Sequence, residues 1–205
     1  MRYLLLSSCL LLLLSCAGVH KNLQTQKGDV SSILKFKPSF SVALYKTEVN
    51  VTGKYLSGLL LMKQMPDSSL RMVFSNEMGF KFFDFAFLPD GSFQVFTIIK
   101  QMDKKAVITT LRKDFELVLM RGLDARTGFI RSDSQYVFHI FPQSKGFYQY
   151  ITNKEGDELV RMERASKTKV VVEAIATKNI GGVPDSIGIT HKTFNFTIGL
   201  KRIVQ

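Results

Sequence analysis

The chain has 205 residues, of which 45% are hydrophobic, with 28 Lys and Arg against 17 Asp and Glu and a net charge of +11. That length suits one domain with a real core. Its basic residues are spread rather than blocked, which reads as a solvated surface charge or as attraction to anionic head groups. Two cysteines, one of them inside an apolar leader, leave no thiol pair for a disulfide, a zinc site or a CxxC motif.

Residues 1–15 read as a signal peptide. Arg2 supplies a positive start, and Leu4 to Leu14 is an apolar run too short to span a bilayer as a mature helix. Leu13-Leu14-Ser15-Cys16 then resembles a bacterial lipobox. The resemblance implies cleavage after Ser15 and acylation of Cys16, and more than one acyl chain makes such an anchor stable. An ordinary secretory signal with a chance Cys is the alternative. Ala17 stands where an Asp would commonly retain a lipoprotein in the inner membrane, so the expected location is the outer membrane, facing the periplasm. Nucleic acid is not an expected partner there. Residues 16–28 are polar and patternless after the Cys and read as a flexible tether. Residues 29–205 read as a single domain.

Asp29 to Phe36 reads as a short helix, with Asp29 as N-cap and Pro38 as terminator. Strands follow at 40–51 and 54–64, parted by Thr52-Gly53. The stretch from Leu70 to Phe87 organises the chain: two arms turn back on each other across Asn76-Glu77-Met78-Gly79. Phe74 to Phe96 holds eight of the seventeen Phe residues. The first arm alternates, with Leu70, Met72 and Phe74 opposed to Arg71, Val73 and Ser75. The second is apolar on both faces, with Phe83, Phe85 and Phe87 opposite Phe80, Phe82 and Ala86. Such a strand is covered on both sides or lines an apolar cavity. Asp84 interrupts it and needs a partner if buried, for which Arg71 is the candidate; a solvated strand edge is the other reading. Met78, a large apolar residue, occupies a turn position where polar residues are expected.

A fifth strand at 93–97 follows the Pro89-Asp90-Gly91 turn. The period then changes to that of a helix over 103–120. Ile108, Leu111, Phe115 and Leu119 share its apolar face, Asp103 caps its start and Gly122 ends it in left-handed geometry. The helix lays its oily face on the sheet or on a membrane surface. Strands resume at 135–141, 146–151, 158–164, 169–177 and 187–203, with Phe194, Phe196, Ile198 and Leu200 inward. The fold class is therefore mainly β (α+β): a single antiparallel sheet of about 10–11 strands, large enough to curl, with a helical insertion.

No catalytic set stands out. His20 falls in the tether, His139 reads as structural, and His191 shares a parity with Thr193 that makes it exposed. No two of them have ligand spacing, and no GxSxG, HExxH, phosphate loop or GxGxxG occurs. Neither an enzyme nor a bound metal or cofactor is expected.

Three stretches resemble the outer-membrane lipoprotein receptor of the lipoprotein-localisation (Lol) pathway, whose periplasmic carrier shares its fold. These are Leu70-Arg71-Met72-Val73-Phe74-Ser75-Asn76-Glu77-Met78-Gly79, the helix after a short strand, and Phe196-Thr197-Ile198-Gly199-Leu200-Lys201. The chain departs in having no Trp and in placing Glu77 where the receptor has Pro. The resemblance implies an open half-barrel whose concave face is covered by helices and whose apolar cavity accepts acyl chains. It implies that the Glu77-Met78-Gly79 tip is a membrane-insertion hook whose Met78 enters a lipid surface; a tip folded back with Met78 on its own core is the alternative. Cavity-lining candidates are Phe74, Phe80, Phe82, Phe83, Phe85, Phe87, Ile108, Leu111, Phe115, Phe194 and Phe196. Acyl chains of lipoproteins or phospholipids and a periplasmic lipoprotein carrier are the expected partners. The alternative function is an envelope assembly or scaffold lipoprotein that binds a protein through the same fold.

Overall fold

Alternation of period two runs through most of the chain, and the computed structural model, which describes residues 18–180 and 182–203, turns it into one sheet. Its strands are β1 (Gln24–Gln26), β2 (Val42–Val51), β3 (Lys54–Gln64), β4 (Leu70–Ser75), β5 (Lys81–Phe87), β6 (Phe93–Ile98), β7 (Phe129–Ser132), β8 (Tyr136–Pro142), β9 (Phe147–Asn153), β10 (Leu159–Ala165), β11 (Val170–Ile180), β12 (Val183–His191) and β13 (Phe196–Arg202). A 3-10 helix spans Val30–Phe36, and one α-helix, α1, spans Lys105–Val118. The order across the sheet is β1-β7-β8-β9-β10-β11-β12-β13-β2-β3-β4-β5-β6. It is antiparallel and not closed, in keeping with an open half-barrel. β2 to β6 and β7 to β13 are each a run of consecutive hairpins, β1 adds to the β7 edge, and β13 joins the two runs by pairing Phe196 with Val51 and Leu200 with Thr47.

Inward side chains form one core, in which Tyr45, Leu60, Met72, Phe85 and Tyr150 are fully buried. Burying a side chain of this size contributes about 1.5–3 kcal/mol. Gly58 is required by a close approach: a Cβ there would meet the Ser75 carbonyl oxygen at 2.1 Å. The strand that carries the hairpin tip can therefore lie tight against β3.

The sheet has more strands than the sequence pattern predicts. Residues 18–28, read as a tether, are held against the domain. Val19 N–H donates to Lys167 O, and β1 pairs with β7. His20 lies 2.7 Å from Gln149 and edge-on to Phe147. The final strand is two strands, because the inward parity changes along it. Ile187, Ile189 and His191 point in from β12, and Phe196, Ile198 and Leu200 from β13. Odd and even positions share one side here because a turn intervenes, at residues 192–195. The same parity buries His191, expected to be exposed.

The 3-10 helix starts as its sequence suggests, with Asp29 accepting a hydrogen bond from Ser31 N–H. α1 starts differently. Its N-cap is Lys104, with no side-chain cap, rather than Asp103. At its other end Met120 already adopts φ +49°, two residues before Gly122 at +67°.

Candidate functional site

The hairpin tip is built by Asn76. Its side-chain oxygen accepts from Met78 N–H at 3.0 Å and from Phe80 N–H at 2.8 Å. Gly79 supplies the positive φ (+83°) that closes the turn. None of these bonds uses the Met78 side chain, which is 93% exposed.

Beyond the tip a bulge decides which rings face inward. Phe74 pairs with Phe83 and Ser75 with Lys81, so Phe82 is an extra residue in β5. A bulge re-aims the residue it inserts. Phe82 and Phe83 thus reach the same space although they are adjacent in sequence. The two-sided apolar pattern of this arm is explained by that irregularity near the tip and, further along, by Ala86 on the outer face.

That space is an apolar cavity of about 700 Å³, within the range of small-ligand pockets, about 300–1,000 Å³. Phe74, Phe80, Phe82 and Phe83 line it from β4, the tip and β5, and Phe194 and Phe196 from β13 and the turn before it. Leu111 and Phe115 line it from α1. The rings form a continuous track. Phe80 lies 5.9 Å from Phe82, Phe82 4.8 Å from Phe74, Phe74 5.6 Å from Phe83, and Phe83 6.3 Å from Phe115. Phe80 is 58% exposed and Phe194 45% exposed, so the track runs out to solvent beside the tip. The charged lining residues are Lys54 and Lys104, both at exposed positions.

Three expected lining residues lie elsewhere. Phe85 and Phe87 are buried in the core against Phe93, outside the cavity. Ile108 is displaced by Val107, since α1 turns positions 107, 111 and 115 toward the space. That spacing of four is as regular as the expected face of 108, 111 and 115, and only packing chooses between them.

Asp84 is 2% exposed and bound twice by Arg71, at 2.7 and 2.9 Å, with Lys81 at 3.4 Å. Burial pushes its carboxyl up, but the Arg71 and Lys81 contacts outweigh burial and leave it below its ordinary value. Arg71 also stacks on Phe96 at 4.0 Å. This set sits on the outer face of the hairpin and holds the tip strands in register.

Sequence reasoning missed a second buried set. Asp114 of α1 has no exposure, lies 2.8 Å from His191 Nε2 and 3.5 Å from Arg164. These contacts tie α1 to β10 and β12. A carboxylate three residues after Leu111 and one before Phe115, on the apolar side of the helix, was the available signal. His139 is buried, with Nδ1 3.3 Å from Val30 O; burial lowers its pKa. Among the described residues no group of three His, Cys, Asp or Glu is placed to hold a metal ion, and no helix is long and apolar enough to cross a membrane. Cys16 lies outside the described residues.

No family model matches the chain, and no curated protein matches it. Among solved structures, a LolA superfamily protein from Nitrosomonas europaea aligns with a TM-score of 0.51 at 10% identity, covering 87% of this chain and 93% of that one. The fold is LolA-like. A DUF1329 family protein from Desulfovibrio piger is similar at a TM-score of 0.48 and 10% identity, covering 88% of this chain and 92% of its own. A structure described as an outer membrane lipoprotein-sorting protein domain, from Vibrio parahaemolyticus, is similar at 0.46 and 8%, covering 85% and 88%. In this LolA-like frame the three resembling stretches fall on the β4–β5 hairpin, on α1 after β6, and on β13.

Proposed function

We propose that this protein is an outer-membrane-anchored lipoprotein that takes acyl chains of lipoproteins or phospholipids into its cavity and assists their localisation. The observation that carries the reading is the open, ring-lined cavity of about 700 Å³. Each methylene moved from water into it gains about 0.8 kcal/mol, with no covalent step. In this reading α1 covers the concave face, and Met78 at the bare tip enters the membrane as cargo leaves. Cys16 carries the anchor, and a periplasmic lipoprotein carrier supplies the cargo.

A scaffold role through the same fold is the competing reading. It fits a cavity filled by the protein's own side chains, and the open volume favours the acyl reading instead. Native mass spectrometry of the purified protein, with a fluorescent fatty-acyl probe beside it, tests the choice. The protein should retain lipid and bind the probe, and Phe82→Gln should weaken binding about tenfold through the lost apolar contact. A wild-type protein that carries no lipid and binds no probe overturns the acyl reading.

A further inference from the structure

A second concavity, of about 260 Å³, shares Thr110 with the apolar cavity but brings three cations together beside Ala165 and Val171. Thr109, Thr110 and Lys113 of α1 line it, with Lys145 from the β8–β9 turn, Arg164 from β10 and Ser166 from the β10–β11 turn. Three cations and no carboxylate face this small space. Among the described residues, neither Lys113 nor Lys145 lies within 4 Å of a carboxylate oxygen.

The nearby acids do not line the pocket. Asp114 is buried, with Oδ2 bound to His191, while Oδ1 has no hydrogen-bond partner and lies 3.5 Å from Arg164. Glu116 is held by Arg112 at 2.6 Å and accepts from the Tyr148 hydroxyl at 3.0 Å. Burial holds Lys113 below the ordinary lysine value, and Arg164 and Lys145 add to that; Glu116 opposes them. Like charges crowded in a partly desolvated space are costly unless an anion enters.

We propose that this pocket binds a tetrahedral oxyanion of the phosphate class, free or carried as a lipid headgroup. The Arg164 guanidinium presents several N–H donors in a plane, suited to phosphate oxygens. Lys113 and Lys145 supply compact charge, and the Thr109 and Thr110 hydroxyls supply further donors. The site does not depend on the acyl reading of the neighbouring cavity.

The test measures binding of inorganic phosphate to the purified protein by calorimetry at low ionic strength. A second arm measures water-soluble dihexanoyl phosphatidic acid against dihexanoyl glycerol. Lys113→Gln/Lys145→Gln leaves the Arg164–Asp114 pair in place, and a thermal melt confirms the fold. If the pair of changes lowers the melt, Lys145→Gln alone, at an exposed turn, serves the same comparison. The variant should lose affinity about tenfold or more. Loss in the phosphate arm assigns a free-anion site, and loss confined to phosphatidic acid assigns a headgroup site. Equal binding by wild type and variant in both arms, or no binding in either, overturns the proposal. The acyl probe is titrated in parallel: a wild type that binds phosphate but no acyl probe sinks the cavity reading and leaves this one standing.

Discussion

Met78→Glu separates a membrane role for the hairpin tip from a structural one. The side chain is 93% exposed, so nearly all of it is available for burial elsewhere. Moving it fully from water into an acyl region gains about 1.5–3 kcal/mol, roughly a tenfold to 150-fold bias in partition. An ionised Glu cannot be buried unpaired at acceptable cost, so the variant forfeits the whole gain. The turn itself rests on Asn76 Oδ1 and on Gly79, and an exposed substitution there should move stability by no more than about 0.5 kcal/mol. The assay is liposome transfer of an acylated cargo, with a thermal melt of the same preparation. Transfer should fall at least tenfold with the melt unchanged. Unchanged transfer with an unchanged melt removes the hook from the mechanism, and a large drop in melting temperature would show that the tip packs on the domain.

Cys16→Ala should yield an unprocessed or soluble protein that no longer incorporates labelled palmitate; persistent labelling rules out Cys16 as the lipid site. Asp114→Ala leaves Arg164 and His191 buried without their carboxylate, and should cost about 3–5 kcal/mol in urea unfolding; a loss below about 1 kcal/mol would refute the view that this set pins α1. His139 is held below its ordinary value of 6.5 by burial, so the folded state binds fewer protons than the unfolded chain. Its contribution is complete above pH 6.5 and is lost as pH falls through the lower folded value. Melting temperature should therefore drop on acidification below that point, and His139→Gln should flatten the drop; an equally steep profile in the variant would dismiss His139 as its source.

Much of the architecture was legible because alternation and turn residues are local signals. β3 has the bounds its sequence suggests, and the Asn76–Gly79 tip lies where Asn and Gly place it. What escaped was set by packing between distant segments. β1 carries no apolar pattern of its own and is a strand only because β7 offers it an edge. The His191 and Asp114 partners lie 77 positions apart, and no spacing rule joins them. The cavity was legible as a concentration of Phe, but not its walls. The bulge at Phe82 brings two adjacent rings, Phe82 and Phe83, to it, and the choice of Val107 over Ile108 turned on a small rotation of α1.

The pairing of β13 with β2 has a consequence for assembly. β2 to β6 and β7 to β13 are sets of neighbouring hairpins that close short loops, whereas Phe196 and Val51 are brought together across most of the chain. Closing so long a loop costs entropy before any contact rewards it, and such pairings form slowly. During synthesis β2 emerges well before β13, so β2 must wait with one of its edges bare until β13 arrives. Until then the growing chain presents an unpaired apolar ribbon, and deletion of Phe196–Arg202 should leave two half-sheets rather than a slightly smaller protein.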